Sequence, residues 1–272
     1  MKICLYSFPN SLTESYYDVV DVAVKYGIKY VETITERELA EPDVEFAKKL
    51  YAYANERGVA FNCVSVFAKI SIENYENDVT RLKKFVDVAE ALHSPYIHHT
   101  IVPGFKEFDY ADKVKEMFEN GVKGVSEVVE YAKSKGITAL YEPQGYLFNG
   151  VENIEKLTSL VDAGIVADFG NVFFVDERIA PIIERCPDKI KNVHVKDYQV
   201  VEDAPKYYTS KFGTRFVERQ LGEGDVDFEG AFELLRKIGY DGCVALESSC
   251  IPGKEEESFL RNLEFLKKLG CE

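Results

Sequence analysis

Four short apolar runs in the second half of the chain each end in a side chain that can bind a metal ion or move a proton. They end at Glu142, Asp168, His194 and Glu247, so that successive ends lie 26, 26 and 53 residues apart. One strand–helix unit of an eight-stranded parallel barrel takes roughly 25–35 residues, and a whole barrel takes about 250. The spacing therefore predicts four successive strands of one barrel, with a long connection inside the last interval.

The rest of the chain keeps the same alternation. Strands are predicted at residues 2–7, 30–34, 60–66, 96–99, 137–142, 163–168, 190–197 and 242–247. Helical spacing of apolar residues fills the intervals, and glycines that can cap helices follow at Gly27, Gly58, Gly136 and Gly239. This pattern predicts an α/β fold, a single (β/α)8 TIM barrel in which residues 1–272 form one domain. Residues 199–224 form a long connection, which we expect to be a lid or a binding loop.

The four strand ends predict a metal site, because parallel strands of a barrel have their carboxyl ends at one rim. Alternation along the strands turns the side chains of Glu142, His194 and Glu247 into the barrel mouth. Three carboxylates and an imidazole would repel one another unless a cation lies between them. We therefore expect Glu142, Asp168, His194 and Glu247 to bind one divalent ion. A carboxylate at a single strand end is more often a cap or an ion-pair partner, but four in register favour the metal.

The donor types and the placement of the glutamates suggest a chemistry. Carboxylate and imidazole donors without a thiolate suit Mn²⁺, our first choice, and also Co²⁺, Mg²⁺ or Zn²⁺. Such an ion can hold two oxygens of a hydroxy-ketone and stabilise an enediolate. Glu142 and Glu247 would then face the two sides of a substrate carbon, one removing a proton and the other returning one.

In its second half the chain resembles a known family, the sugar phosphate isomerase/epimerase group with the xylose-isomerase-like barrel. That group includes ketose 3-epimerases, hydroxypyruvate isomerase, inosose dehydratase and endonuclease IV. The resemblance is carried by the ordered segments YEP, ADFG, VHVKD, LGEGDVDF, IGYDG and LE, which begin at Tyr141, Ala167, Val193, Leu221, Ile238 and Leu246. It implies metal ligation by the same four residues, with the two glutamates as catalytic proton carriers.

The chain also departs from the family pattern. Where the family often has D-x-G-H after strand six, this chain has Asn171, which can make a polar contact but cannot transfer a proton. The arginine that ketose epimerases carry after the strand-seven histidine is replaced by Gln199 and Val200. Their second glutamate after strand five is missing, and Leu147 and Phe148 occupy that region. These departures argue against a free-ketose 3-epimerase of that subtype.

Further residues near strand ends are candidates for substrate binding: Glu32, His98, His99, Asn171 and Lys196. For Glu32 a plain salt bridge is the alternative, and for Lys196 a pair with Asp197. Only one of His98 and His99 is expected to point inward, since they are adjacent on a strand. Three aromatic residues that follow strands, Phe8, Phe67 and Phe105, are candidates for an apolar wall, with core packing as the alternative.

Composition limits the partners. The formal net charge of −14 argues against nucleic-acid binding, because an acidic surface repels a polyanion. The six cysteines form no C-x-x-C pair, and the sequence contains neither a signal-peptide pattern nor a membrane-spanning apolar run. We expect a cytoplasmic protein that acts on a small carbohydrate without nucleic-acid or membrane partners, and assembly into a homo-oligomer is left open.

Three hypotheses on function remain. The first is a metal-dependent isomerase or epimerase acting on a sugar, a keto-sugar or a sugar phosphate. The second is a lyase or dehydratase that uses the same metal and bases to eliminate a group from an inosose or an oxidised glycoside. The third is a sugar-binding barrel without catalysis. Endonuclease chemistry is disfavoured, because such enzymes usually need extra histidines as metal ligands and a basic groove. This acidic chain has only four histidines in all.

Overall fold

The structure is a computed structural model, and it describes residues 1–6, 13–101, 113–248 and 250–272. Ser7, predicted as the end of the first strand, lies outside these residues, as do Phe8 and Phe105.

Within the described residues, eight parallel strands close into a barrel, which confirms the predicted fold class. The barrel strands are β1 (Lys2–Tyr6), β2 (Tyr30–Ile34), β3 (Ala60–Val66), β4 (Tyr96–His99), β5 (Thr138–Tyr141), β6 (Gly164–Asp168), β7 (Ile190–Val195) and β11 (Cys243–Leu246). Neighbours in the chain are neighbours in the barrel from β1 to β7, and β11 completes the circle between β7 and β1. The register of β2 against β3 shifts between Val31 and Glu32.

Eight α-helices surround the strands of the described chain: α1 (Tyr16–Tyr26), α2 (Val44–Glu56), α3 (Tyr75–Ala91), α4 (Val114–Ser134), α5 (Val151–Leu160), α6 (Ala180–Arg185), α7 (Phe228–Lys237) and α8 (Glu255–Lys268). The helix boundaries follow from local chemistry. Ser15 and Asp18 form a capping box at the start of α1, and Gly27 ends that helix with a φ of 71°. None of the described helices is both long and apolar enough to cross a lipid bilayer.

Strand alternation separates two layers of packing. Outward residues such as Val193, Val195 and Val244 belong to a large apolar cluster that includes buried residues of the helices. Inward residues form smaller clusters inside the barrel, for example Cys63 with Leu140 and Val166. The helix layer therefore stabilises the barrel from outside, and inward positions near the carboxyl ends of the strands are available for polar side chains.

The segment between β7 and α7 differs from the expected loop. The predicted strand 190–197 is divided at Lys196, and the chain then forms a three-stranded antiparallel sheet. Its strands are β8 (Asp197–Val200), β9 (Tyr208–Thr209) and β10 (Arg215–Arg219), in the order β8–β10–β9. Aromatic rings pack the sheet against the barrel: Phe216 lies 5.0 Å from Phe174 and from Tyr198 between ring centroids. The long connection is thus a folded unit.

Asp197, the first residue of β8, holds the segment that connects β10 to α7. Its Oδ2 atom accepts the backbone N–H groups of Gly222, at 2.9 Å, and Gly224, at 2.8 Å. Its Oδ1 atom accepts the N–H of Val226 at 3.2 Å. Asp197 itself is fully buried, and the three donors belong to half-buried or exposed residues of the turn before α7.

We predict that Asp197→Ala lowers the free energy of unfolding by about 1.5–3 kcal/mol, because three backbone N–H groups lose their charged acceptor. The measurement is urea unfolding followed by circular dichroism. Asp203→Ala, on the exposed part of the same segment, should change the stability by less than about 0.5 kcal/mol. Equal losses in the two variants would contradict this role for Asp197.

Candidate metal centre

The carboxyl ends of four neighbouring strands bring the predicted ligands together. Glu142 follows β5, Asp168 ends β6, His194 is the second-last residue of β7, and Glu247 follows β11. One ligand atom from each of these residues lies within 4.8 Å of the others. The four side chains, which are far apart in the sequence, therefore surround one point at the barrel mouth.

The contacts inside this cluster are short. The Nδ1 atom of His194 lies 2.9 Å from Oε2 of Glu247 and 3.2 Å from Oε1 of Glu142. The Nζ atom of Lys196 lies 2.8 Å from Oε1 of Glu247 and 3.0 Å from Oδ2 of Asp168. The imidazole and the ammonium group thus lie between three carboxylates and offset part of their repulsion.

Asp168 is held in place by the backbone that follows it. Its Oδ1 atom accepts the N–H groups of Gly170, at 2.8 Å, and Asn171, at 2.6 Å. Its Oδ2 atom is the one that faces Lys196. The turn after β6 therefore fixes one oxygen of Asp168 and directs the other into the cluster.

Burial and charge act differently on the two glutamates. Burial raises the pKa of Glu142 to about 7, although its hydrogen bond with His194 acts in the opposite direction. Burial also acts to raise the pKa of Glu247, but the charge of Lys196 and the hydrogen bond with His194 outweigh it and hold that pKa below its usual range. The two carboxyl groups therefore have different proton affinities although they share one neighbour.

The residues fit a divalent ion. Three carboxylates and one imidazole give a mixed oxygen and nitrogen donor set, with no thiolate in this described cluster, and such a set suits hard or borderline divalent cations. Asp168 and His194 are fully buried and Glu142 is nearly so. A group of buried carboxylates is costly unless positive charge is bound nearby.

A cavity of about 490 Å³ opens beside the cluster, and Glu142 and Glu247 are part of its wall. The opposite wall comes from the ends of the first four strands and their connections, with Tyr6, Ser65, Phe67, His98 and Thr100. Gln144 and Arg81 also reach the cavity. Except for His98 and Phe67, these wall residues were missed by the sequence analysis. The signal that could have found some of them is their position at or just after the end of a strand.

The two adjacent histidines of β4 separate as expected. His98 is almost completely buried and lies on the cavity wall, with its Nδ1 atom 3.7 Å from Oε2 of Glu142. Neither of its ring nitrogens has a hydrogen-bond partner among the described residues. His99, also a predicted substrate contact, is buried and its Nδ1 atom bonds to the carbonyl oxygen of Thr100. The structure places His99 outside the cluster and outside the wall of this cavity.

Lys196 and Asn171, also predicted to contact substrate, lie beside the cluster and are not part of the described cavity wall. Asn171 donates from Nδ2 to the carbonyl oxygen of Pro143 at 3.0 Å, and its Oδ1 atom lies 3.4 Å from Nζ of Lys196. The alternative pairing of Lys196 with Asp197 is wrong, since Lys196 binds Asp168 and Glu247 while Asp197 accepts backbone donors. Lys196 therefore belongs to the charge network of the cluster.

Glu32 lies inside the barrel, in the middle of β2 instead of at its end as predicted. It is fully buried, and its Oε2 atom lies 2.9 Å from Nε2 of His194. It is not part of the described cavity wall. The described partner of Glu32 at this atom is thus His194, and its contact with a substrate hydroxyl stays a prediction.

Comparison with known proteins agrees with this fold. A family profile described as xylose isomerase-like TIM barrel matches residues 20–269. The chain therefore belongs to the xylose isomerase-like TIM barrel family.

Individual relatives are more distant. Inosose dehydratase from Clostridium tetani is 27% identical over 150 residues, which are 52% of this chain and 50% of that protein. Inosose dehydratase from Yersinia enterocolitica is 29% identical over 143 residues, 48% of this chain and 47% of that protein. The chain thus spans about half the length of the curated relatives it matches.

A solved structure extends the likeness over the whole chain. The IolI protein, solved with a bound zinc atom, superposes with a TM-score of 0.79 at 16% identity and covers 99% of this chain and 98% of its own. At this identity the likeness concerns the fold.

We predict that MnCl₂ at about 100 times its Kd stabilises the protein by about 2.7 kcal/mol, which for a chain of this size raises the Tm by roughly 5–10 °C. Asp168→Asn should abolish most of the shift, because it removes a buried ligand. Differential scanning fluorimetry with MnCl₂ and with EDTA measures both.

The matched control is Asp162→Asn, an exposed residue paired with Lys189, which should keep the full shift. The expectation fails if the wild-type Tm does not respond to MnCl₂, or if Asp168→Asn responds as the wild type does.

Proposed function

We propose that this chain is a divalent-metal-dependent enzyme that removes a proton next to the carbonyl group of a keto-sugar or keto-inositol. The observation that carries the proposal is the cluster of Glu142, Asp168, His194 and Glu247 beside a cavity into which both glutamates extend. A divalent ion held by these four residues would supply positive charge to the carbonyl oxygen, which becomes negative when the neighbouring carbon loses its proton. Mn²⁺ is our first choice of ion, on donor type.

The two glutamates supply the proton transfers. They come from strands separated by β6 and β7, and both reach the wall of the cavity. One accepts the proton from the carbon beside the carbonyl, and the other donates a proton on the second side of the substrate. Lys196 and His194 keep Glu247 oriented through contacts of 2.8 and 2.9 Å.

The same two glutamates could catalyse either of two reactions. If the second proton returns to carbon, the product is an isomer or epimer. If it goes to a hydroxyl on the next carbon, the C–O bond breaks and the hydroxyl leaves as water, so the product is an unsaturated ketone. We place dehydration first, because the curated relatives are inosose dehydratases. Isomerisation or epimerisation is the second candidate, which the placement of the glutamates allows equally.

The cavity wall suggests how a polyhydroxylated substrate is held. His98 lies on this wall, and its ring nitrogens have no hydrogen-bond partner among the described residues, so one of them is available to a substrate oxygen. Burial holds the pKa of His98 well below its ordinary value, so the neutral form is favoured. Thr100 and Gln144 add polar groups, and Tyr6 and Phe67 add aromatic surface.

We predict that Glu142→Gln and Glu247→Gln each reduce kcat by about 10²–10⁴-fold, because each removes a proton carrier. The assay incubates Mn²⁺-loaded protein with a panel of inososes and keto-sugars in deuterium oxide. Nuclear magnetic resonance detects deuterium in the carbon framework, and mass spectrometry detects the loss of water.

Product mass separates the two candidates: loss of water indicates dehydration, and deuterium uptake without loss of mass indicates isomerisation or epimerisation. Glu127→Gln removes one negative charge from the helix layer, where Glu127 pairs with Lys83, and should leave turnover unchanged. Tight binding of a sugar without exchange or mass change would instead support a non-catalytic barrel.

A separate prediction concerns His98. His98→Ala should raise the KM about tenfold, because substrate oxygens lose a buried partner worth roughly 1–3 kcal/mol, while kcat changes less. His99→Ala is the matched control from the same strand, and its KM should stay near the wild-type value. A fall in kcat with no change in KM would contradict a role in substrate binding.

A further inference from the structure

His194 lies between two groups of residues that could each hold a cation. The first is the cluster of Glu142, Asp168 and Glu247 on the Nδ1 side of the ring. The second consists of Glu32 and His98 with His194 itself. A neutral imidazole has one N–H and one lone pair, so only one of its nitrogens can be a metal donor. The nitrogen that carries hydrogen therefore decides which group binds the ion.

We propose that Glu32 is a positioning residue that holds the hydrogen of His194 on Nε2, so that Nδ1 is the metal donor. Oε2 of Glu32 lies 2.9 Å from Nε2, and both side chains are fully buried. Carboxylates face both ring nitrogens, Glu32 at Nε2 and Glu142 with Glu247 at Nδ1. A divalent ion between Glu142 and Glu247 would take the place of the hydrogen on Nδ1, whereas the hydrogen on Nε2 is retained by the contact with Glu32. This inference rests on the metal site of the proposed function.

The surroundings of Glu32 agree with an acceptor-only group. Its Oε1 atom accepts from Nδ2 of Asn192 at 2.7 Å and from Nδ2 of Asn62 at 3.0 Å. Its Oε2 atom also accepts from Oγ of Ser65 at 3.3 Å. With His194, four donors from β3 and β7 converge on one side chain of β2, which fixes its orientation.

Asn192 is placed to hold this arrangement. Its Nδ2 atom also lies 3.2 Å from Nε2 of His194, but the shorter contact is the one to Glu32. Its Oδ1 atom accepts from Nδ2 of Asn62 at 3.1 Å, which orients the amide. With its amide hydrogens directed to Glu32, Asn192 does not replace Glu32 as the partner of Nε2.

The imidazole plane is fixed from two further directions. The ring of Tyr6 packs edge-on against His194 at 5.1 Å between centroids, and the ring of His98 does so at 5.2 Å. Glu32 contacts the Nε2 side of the ring, and Tyr6 and His98 pack against it. Nδ1 of His194 therefore faces Glu142 and Glu247. A carboxylate that bonds the second nitrogen of a metal-binding histidine commonly strengthens the metal site.

The direct test is nuclear magnetic resonance of ¹⁵N-labelled protein loaded with ZnCl₂, in which long-range ¹H–¹⁵N correlations show which nitrogen of each ring carries hydrogen. The variant His194→Gln identifies the His194 signals by their loss. We expect hydrogen on Nε2 and zinc on Nδ1. Zinc on Nε2 would overturn the inference.

The second test measures zinc affinity by competition with a chromogenic chelator. Glu32→Gln should weaken binding about 10–100-fold, as expected for loss of a partner of this kind. It should also give a mixture of the two ring tautomers, because a glutamine amide can either accept from Nε2 or donate to it. Glu32→Leu should weaken binding further, and Glu127→Gln, which loses the same charge far from the site, should bind as the wild type does.

The outcomes separate the two proposals. Wild-type affinity and a single His194 tautomer in Glu32→Gln would overturn the role of Glu32 and leave the metal site intact. Wild-type protein that binds zinc through Nδ1 but turns over no keto-sugar would support this inference and contradict the proposed function. Failure of the wild type to bind zinc or manganese would contradict both. Because the tautomer is read in folded zinc-loaded protein, a loss of stability in Glu32→Leu does not affect the first test.

Discussion

Repulsion between three carboxylates that the closed barrel forces together is the constraint around which the rest of the site is arranged. The parallel strands β5, β6 and β11 place Glu142, Asp168 and Glu247 at one end of the barrel, where one ligand atom of each lies within 4.8 Å of the others. Lys196 supplies one positive charge between Asp168 and Glu247, and a divalent ion held by the cluster would supply two more. Charge matching of this kind makes buried carboxylates compatible with a stable fold.

The sequence around Lys196 explains how its ammonium group reaches Asp168 and Glu247. Lys196 follows His194 by two residues and therefore enters the barrel on the same side. Its aliphatic stem passes over Gly170, where a Cβ atom would lie 2.2 Å from Cγ of the lysine. The glycine after Asp168 is thus explained by close packing, because any larger residue there would displace the ammonium group from Asp168 and Glu247.

Strand periodicity was enough to predict the fold and the convergence of the four ligands, because both depend on short-range alternation and on the geometry of a closed barrel. It was not enough for Glu32. The register of β2 against β3 shifts at this residue. Its partners are Asn62 on the neighbouring strand β3 and Asn192 and His194 on β7, across the barrel. Contacts across the barrel interior depend on register, which a single sequence does not encode locally. The segment after β7 was misread as a loop for a related reason, since its sheet is held by aromatic packing against Phe174.

The two halves of the barrel contribute different groups to the candidate site. Strands β5 to β11 contribute the charged groups, whereas β1 to β4 contribute the facing wall of the cavity and, through Glu32 and Asn62, the support of His194. The imidazole connects the halves, since its Nδ1 atom faces Glu142 and Glu247 while its Nε2 atom bonds to the first half. Tyr6 and His98 belong to the cavity wall and also pack against His194, so substitutions there reach the charged cluster as well. A change at Glu32 reaches the cluster through His194, although Glu32 touches neither of the glutamates that we propose as proton carriers.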